Sequence, residues 1–97
     1  MTAPPSSERI LIVDDEDQIR TLLARLLGAQ GYDCITAESA AAGRRTLKEM
    51  PIALVLSDVN MPGESGIDFT SEVLSQYPDT AVVMVLELEA EPAAGKR

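Results

Sequence analysis

Tryptophan is absent from this chain, and one Phe and two Tyr are its only aromatic residues. There is no platform on which nucleic-acid bases would stack. Basic residues are also scarce: eight Lys and Arg stand against sixteen Asp and Glu, a net charge of −8. Nucleic acid therefore finds no cationic footprint, and a cation or a basic surface on a partner suits the chain better. The single cysteine, Cys34, excludes an internal disulfide, and its apolar neighbours make it a small buried filler. The opening MTAPPSSER has no apolar run for a signal peptide or a membrane span, so the expectation is a cytoplasmic protein with no membrane partner. With 97 residues there is room for one domain and one core.

What is present is an alternation of short apolar runs and helical patterns. Residues 1–8, rich in Pro and Ser, read as a disordered lead-in. ILIV (Ile10 to Val13) is wholly apolar and mostly β-branched, the pattern of a strand buried on both faces of a parallel sheet. DEDQIRTLLARLLGAQG comes next, with Ile19, Leu22, Leu23, Leu26 and Leu27 at helical spacing and Gly28 and Gly31 at the stop. CITA (Cys34 to Ala37) predicts a second strand, Ser39 an N-cap, and AAAGRRTLKEM a helix that Pro51 ends. In that helix, Arg44 and Arg45 read as a solvated face. IALVLSD (Ile52 to Asp58) is a third strand, and the loop VNMPGESG leads into IDFTSEVLSQY, with Phe69, Val73, Leu74 and Tyr77 on one face. AVVMVL (Ala81 to Leu86) is a fourth strand. The alternation predicts an α/β fold with a parallel sheet and right-handed crossovers.

Two strand ends carry carboxylates. In open parallel sheets, ligands collect outside the carboxyl ends of the strands. Asp14 and Asp15 lie just past strand one and Asp58 closes strand three. If those strands are neighbours, three carboxylates meet in one shallow pocket, an unfavourable cluster that a divalent cation makes favourable. Mg2+ takes such oxygen ligands while retaining waters. A purely structural use stays open at this point. Asp15 caps the first helix, with Gln18 completing a capping box, and Asp58 starts a turn before Pro62 and Gly63.

ILIVDDE and LVLSDVNMPGESGIDF, at this separation, resemble the first-strand acidic pair and the phosphoacceptor segment of the receiver domain of bacterial response regulators. The resemblance covers about residues 9–85 and implies a flavodoxin-like fold in a two-component phosphorelay. On that pattern Asp58 matches the aspartate that accepts a phosphoryl group from a sensor histidine kinase. Asp15 matches a direct Mg2+ ligand, Asp14 the second acid of the metal site, and Asn60 the residue whose backbone carbonyl completes the coordination. Met61, Pro62, Gly63 and Gly66 match the loop that shapes the pocket. A phosphoacceptor of this kind is not an enzyme. A related α/β phosphatase with an aspartate nucleophile usually has a second Asp two residues on, where Asn60 stands here.

The pattern also breaks. The family fold has five strands in the order 2-1-3-4-5, and this sequence supplies three βα units and a fourth strand. A fourth helix, fifth strand and fifth helix have no counterpart, so the expectation is an incomplete receiver over 9–86 with a polar tail over 87–97. Leu86 stands where the family has a switch Thr or Ser, and Lys96 in the tail is a poor substitute for the family's strand-five lysine. The metal half of the site is present and the switching half is missing, which leaves open a non-switching binding or oligomerisation fragment. Without a fifth strand, AVVMVL is an apolar edge and predicts a marginal monomer that pairs with a partner or a second copy.

Overall fold

A computed structural model of the chain describes residues 9–61 and 63–86. The lead-in 1–8, Pro62 and the tail 87–97, with Lys96, lie outside the described residues. Four strands form one parallel sheet: β1 (Arg9–Val13), β2 (Asp33–Ala37), β3 (Leu54–Asp58) and a later strand, Ala81–Val85. Between β3 and that strand come two short strands absent from the sequence expectation, β4 (Asn60–Met61) and β5 (Glu64–Ser65), so the last strand is β6. The helices are α1 (Asp17–Ala29), α2 (Ala40–Glu49) and α3 (Gly66–Gln76). The sheet order is β2-β1-β3-β6, the parallel α/β arrangement that the alternation predicts.

β1 is central because its side chains are apolar on both faces: Ile10, Leu11, Ile12 and Val13 are all buried between its two neighbours. In register, Leu11 lies between Ile35 and Val55, and Val55 lies beside Val82. This row faces α2 and α3, and with Val13, Ala37, Leu47, Met61, Phe69 and Val73 it makes the core. Phe69 fills the centre, and Gly43 of α2 lets it approach. A Cβ on Gly43 would stand 3.1 Å from the Phe69 ring and 3.2 Å from a Val13 methyl.

The helix ends follow local chemistry. Ser39 caps α2 by accepting the Ala42 amide at 3.1 Å, as its position predicts. α1 is followed by a turn at Gly31, whose φ of +101° favours glycine, while Gly28 lies inside the helix. The start of α1 differs from the capping box read in the sequence. Glu16 is the N-cap and makes no side-chain cap bond, and Asp14 accepts the Glu16 amide at 2.9 Å instead.

Among the described residues, the other sheet face is covered by α1 alone. Ile19, Leu23 and Leu27 are half-buried, but Leu22 and Leu26 are exposed, and no residue of α1 is fully buried. Leu74 also departs from its expected face: it is exposed, while Phe69 and Val73 of the same helix are buried and Tyr77 is half-buried. α3 turns a narrower stripe to the sheet than its apolar spacing indicates. Among the described residues β6 pairs with β3 on one side only, and Val83 is exposed.

The two α3 side chains give a test of this asymmetry. Phe69→Ala removes a fully buried ring, at about 3–5 kcal/mol against a total of about 5–15 kcal/mol for a small domain. It is expected to abolish the cooperative thermal transition followed by circular dichroism. Leu74→Ala is expected to shift stability by less than about 0.5 kcal/mol.

Candidate functional site

The parallel pairing of β1 with β3 builds the site. Val13 stands beside Ser57 in register, so the residues after each, Asp14 and Asp58, leave the same edge of the sheet. Asp14, Asp15 and Asp58 each bring a carboxylate oxygen to within 4.8 Å of the others. The three acids expected at two separate junctions thus meet in one place. Asp14 and Asp58 are buried and Asp15 is exposed, so the cluster opens to solvent on one side.

Asp14 and Asp58 are held by their surroundings. The Asp14 amide donates to the Ala37 carbonyl at 3.1 Å, and the Asp14 carbonyl accepts Arg20 Nη1 at 2.6 Å. Arg20 is itself fixed by an ion pair with Asp17 one helical turn away. It was missed as a support because helical spacing shows which residues share a face, not that a guanidinium folds back over the preceding turn. Asp58 accepts the Asn60 amide on Oδ1 at 3.3 Å. Burial pushes the Asp58 carboxyl above its ordinary value first of all, the charges of Asp14 and Asp15 add to this, and the Asn60 and Val59 amides oppose it.

The segment after Asp58 is a small antiparallel hairpin. Asn60 pairs with Ser65 and Met61 with Glu64, and Gly63 takes the left-handed turn position at φ +84°. Asn60 is exposed at the rim, whereas Met61 points into the core cluster and anchors the hairpin from below. Gly66 donates its amide to the Val59 carbonyl at 2.9 Å. A Cβ there would overlap the Asp58 carbonyl oxygen, so this position admits only glycine. Asp15, Asn60, Glu64 and Ile67 line an open cleft of about 690 Å3 beside the acids. Leu86 comes after Val85, the residue in register with Asp58, and is 63 % exposed.

Three oxygen-donor acids, two of them buried, fit a hard divalent cation such as Mg2+ better than a soft or nitrogen-preferring metal. Asp14, Asp15 and Asp58 are the side chains that would hold it. A second arginine also escaped the sequence reading. Arg44 is not on a solvated face but half-buried, bonded to Glu64 of the hairpin and Glu72 of α3. Its partners lie 20 and 28 residues away, beyond any local pattern.

The raised Asp58 carboxyl has a direct consequence for stability. The folded state holds that proton more tightly than the unfolded chain, so Asp58 favours folding at low pH, and the benefit is lost as pH rises through its folded-state value. At neutral pH the charged group therefore costs stability. Without divalent cations, Asp58→Asn is expected to be more stable than the parent by about 0.5–2 kcal/mol, and added Mg2+ to narrow the gap by stabilising the parent. Thermal melts of both proteins with EDTA and with Mg2+ read this directly.

Comparison with known proteins agrees with this geometry. Residues 10–96 match the family described as the response regulator receiver domain. Response regulator protein PilR of Pseudomonas aeruginosa is 36 % identical over 80 residues, which cover 82 % of this chain and 18 % of PilR. The chain spans less than half the length of the curated relatives it matches. The response regulator TrrA of Thermotoga maritima, in complex with Mg(2+)-BeF, is 34 % identical with a TM-score of 0.78, over 81 % of this chain and 69 % of that one. A structure of histidine kinase ThkA in complex with TrrA also matches, with a TM-score of 0.78 and 31 % identity over 89 % of this chain and 74 % of that one. The buried acids, the glycine packed on the backbone of Asp58 and Val59 and the family match agree: the chain belongs to the response regulator receiver domain family.

Proposed function

We propose that this chain is a phosphoacceptor of a two-component phosphorelay, and that Asp58 takes a phosphoryl group from a phosphohistidine on a sensor kinase. The observation that carries the reading is the meeting of Asp14, Asp15 and Asp58 within 4.8 Å, with the desolvated Asp58 at the end of β3. The likeness to TrrA, solved with ThkA, supports a histidine kinase as the partner. The reading places the protein in the cytoplasm, where such a kinase exposes its phosphohistidine. Among the described residues no helix is long and apolar enough to cross a membrane.

In the proposed transfer, an Asp58 carboxylate oxygen attacks phosphorus in line. The bond to the imidazole nitrogen breaks, and its electron pair leaves with the imidazole. Bound Mg2+ supplies charge neutralisation at the phosphoryl oxygens. Asp14, Asp15 and Asp58, with the Asn60 carbonyl, would hold that ion beside the reacting carboxylate. The Asn60 amide on Oδ1 fixes the carboxylate and leaves the other oxygen to react. Gly66 lets the loop close back onto the Asp58 carbonyl. Asp58 is consumed as an acceptor, so the role is that of a signalling phosphoprotein and not of an enzyme.

One observation favours a second reading of the state after transfer. Leu86, past the end of β6, is aliphatic and exposed, with no hydroxyl to receive a phosphoryl oxygen. Such a chain accepts the group without switching and acts as a binding or oligomerisation module. β6 supplies the surface, an apolar strand paired on one side among the described residues. Two copies joined along it satisfy their free backbone groups.

With Mg2+ and acetyl phosphate, intact mass spectrometry is expected to show a gain of one phosphoryl group on the parent and none on Asp58→Asn. Asp15→Asn is expected to slow the gain. A folded parent that gains nothing overturns the phosphoacceptor reading. Sedimentation at micromolar concentration is expected to show a dimer that Val83→Lys converts to monomer, and a compact, stable parent monomer overturns the oligomer reading.

A further inference from the structure

The cluster that the phosphotransfer chemistry leaves unused is the one around Arg44. Its guanidinium bonds Glu72 of α3 through Nε at 2.8 Å and Nη2 at 2.8 Å. It bonds Glu64 of β5 through Nη1 at 2.9 Å and through Nη2. The same group lies over the Phe69 ring, 5.6 Å from its centroid. Two carboxylates from separate elements therefore share one planar cation, a geometry that a guanidinium satisfies and an ammonium does not.

The position of Glu64 gives this network its meaning. Glu64 pairs with Met61 across the hairpin, and Met61 adjoins Asn60, whose amide holds Asp58 Oδ1. At its far end the loop is tied to Val59 through the Gly66 amide. Arg44 therefore pins the middle of the 59–66 loop to α2 and α3. Without it, Glu64 and Glu72 are like charges facing each other across the gap, and they push the hairpin away from α3. Glu72 reports the strength of the grip: hydrogen bonding from Arg44 holds its carboxyl below the usual range.

We infer that Arg44 is a positioning residue: through Glu64 it holds the 59–66 loop in the conformation that presents the Asn60 amide to Asp58 and the Asn60 carbonyl to the cation. The functional half of this statement rests on the phosphoacceptor reading. The other half concerns the loop alone and stands apart from the chemistry.

The test uses the full chain and three variants, Glu64→Gln, Arg44→Met and the two combined. Amide hydrogen exchange reads the 59–66 loop, calorimetry reads Mg2+ affinity, and acetyl phosphate reads the rate of transfer. For Glu64→Gln, which leaves Arg44 on Glu72, loop exchange is expected to quicken about fivefold and the Mg2+ dissociation constant to rise about fivefold. Exchange in β1 and β3 is expected to stay unchanged, a separation that a general loss of stability does not produce. Adding Glu64→Gln to Arg44→Met is expected to cause no further loss and to recover part of it, because the second change removes the repulsion between Glu64 and Glu72 that the first leaves. Should Arg44→Met fail to fold, Glu64→Gln alone decides the question. Parental loop exchange and Mg2+ affinity in a folded Glu64→Gln overturn the inference. A parent that takes neither Mg2+ nor a phosphoryl group overturns the phosphoacceptor reading instead, while loop exchange still decides whether Arg44 holds the loop.

Discussion

Everything at the functional end of this molecule depends on the parallel pairing of β1 with β3. The backbone ladder that sets Val13 beside Ser57 carries Asp14 and Asp58 out of the sheet together, whatever their charges prefer. Repulsion and desolvation make that juxtaposition costly, as the raised Asp58 carboxyl records. The cost is borne because both strands are clamped from behind by the row of Leu11, Ile35, Val55 and Val82 and by Phe69 above it. A pre-formed gap between carboxylates results, and a cation is the natural occupant.

The elements that this ladder needs were legible because their sequence signals are strong and local. ILIV reads as a doubly buried strand, and it is buried on both faces. Ser39 reads as a cap and acts as one. The meeting of the three acids followed from strand order, and the sequence alone made that conditional on β1 and β3 being neighbours. The observed order β2-β1-β3-β6 meets the condition.

What could not be read depends on geometry with no local pattern. Asp14 and Asp15 are adjacent acids at the same junction, and only the backbone path decides that Asp14 turns inward to take the Glu16 amide. The β4–β5 hairpin has two residues in each strand, too few to show a period of two, and hinges on the left-handed turn at Gly63. Leu22, Leu26 and Leu74 fit helical spacing yet face solvent, because spacing gives the direction of a stripe and not the width of the surface it meets. Arg44 looked solvated since its partners come from two later elements.

The hairpin also links the site to the rest of the fold. It is held at three points by three kinds of force: close backbone approach at Gly66, burial of Met61 in the core, and the ion pair of Glu64 with Arg44. Gly66 is also the first residue of α3, and Phe69 of that helix is both the centre of the core and the ring beneath Arg44. Any change of charge at Asp58 therefore acts on a loop whose two ends are fixed in packed structure. Of the three ties, the contact between Glu64 and Arg44 is the half-exposed, electrostatic one, and it yields at lower cost than a buried side chain or a backbone clash. That tie joins the hairpin to α2, which carries Arg44, and to α3, which carries Glu72, so the geometry of the loop beside Asp58 is coupled to these two helices.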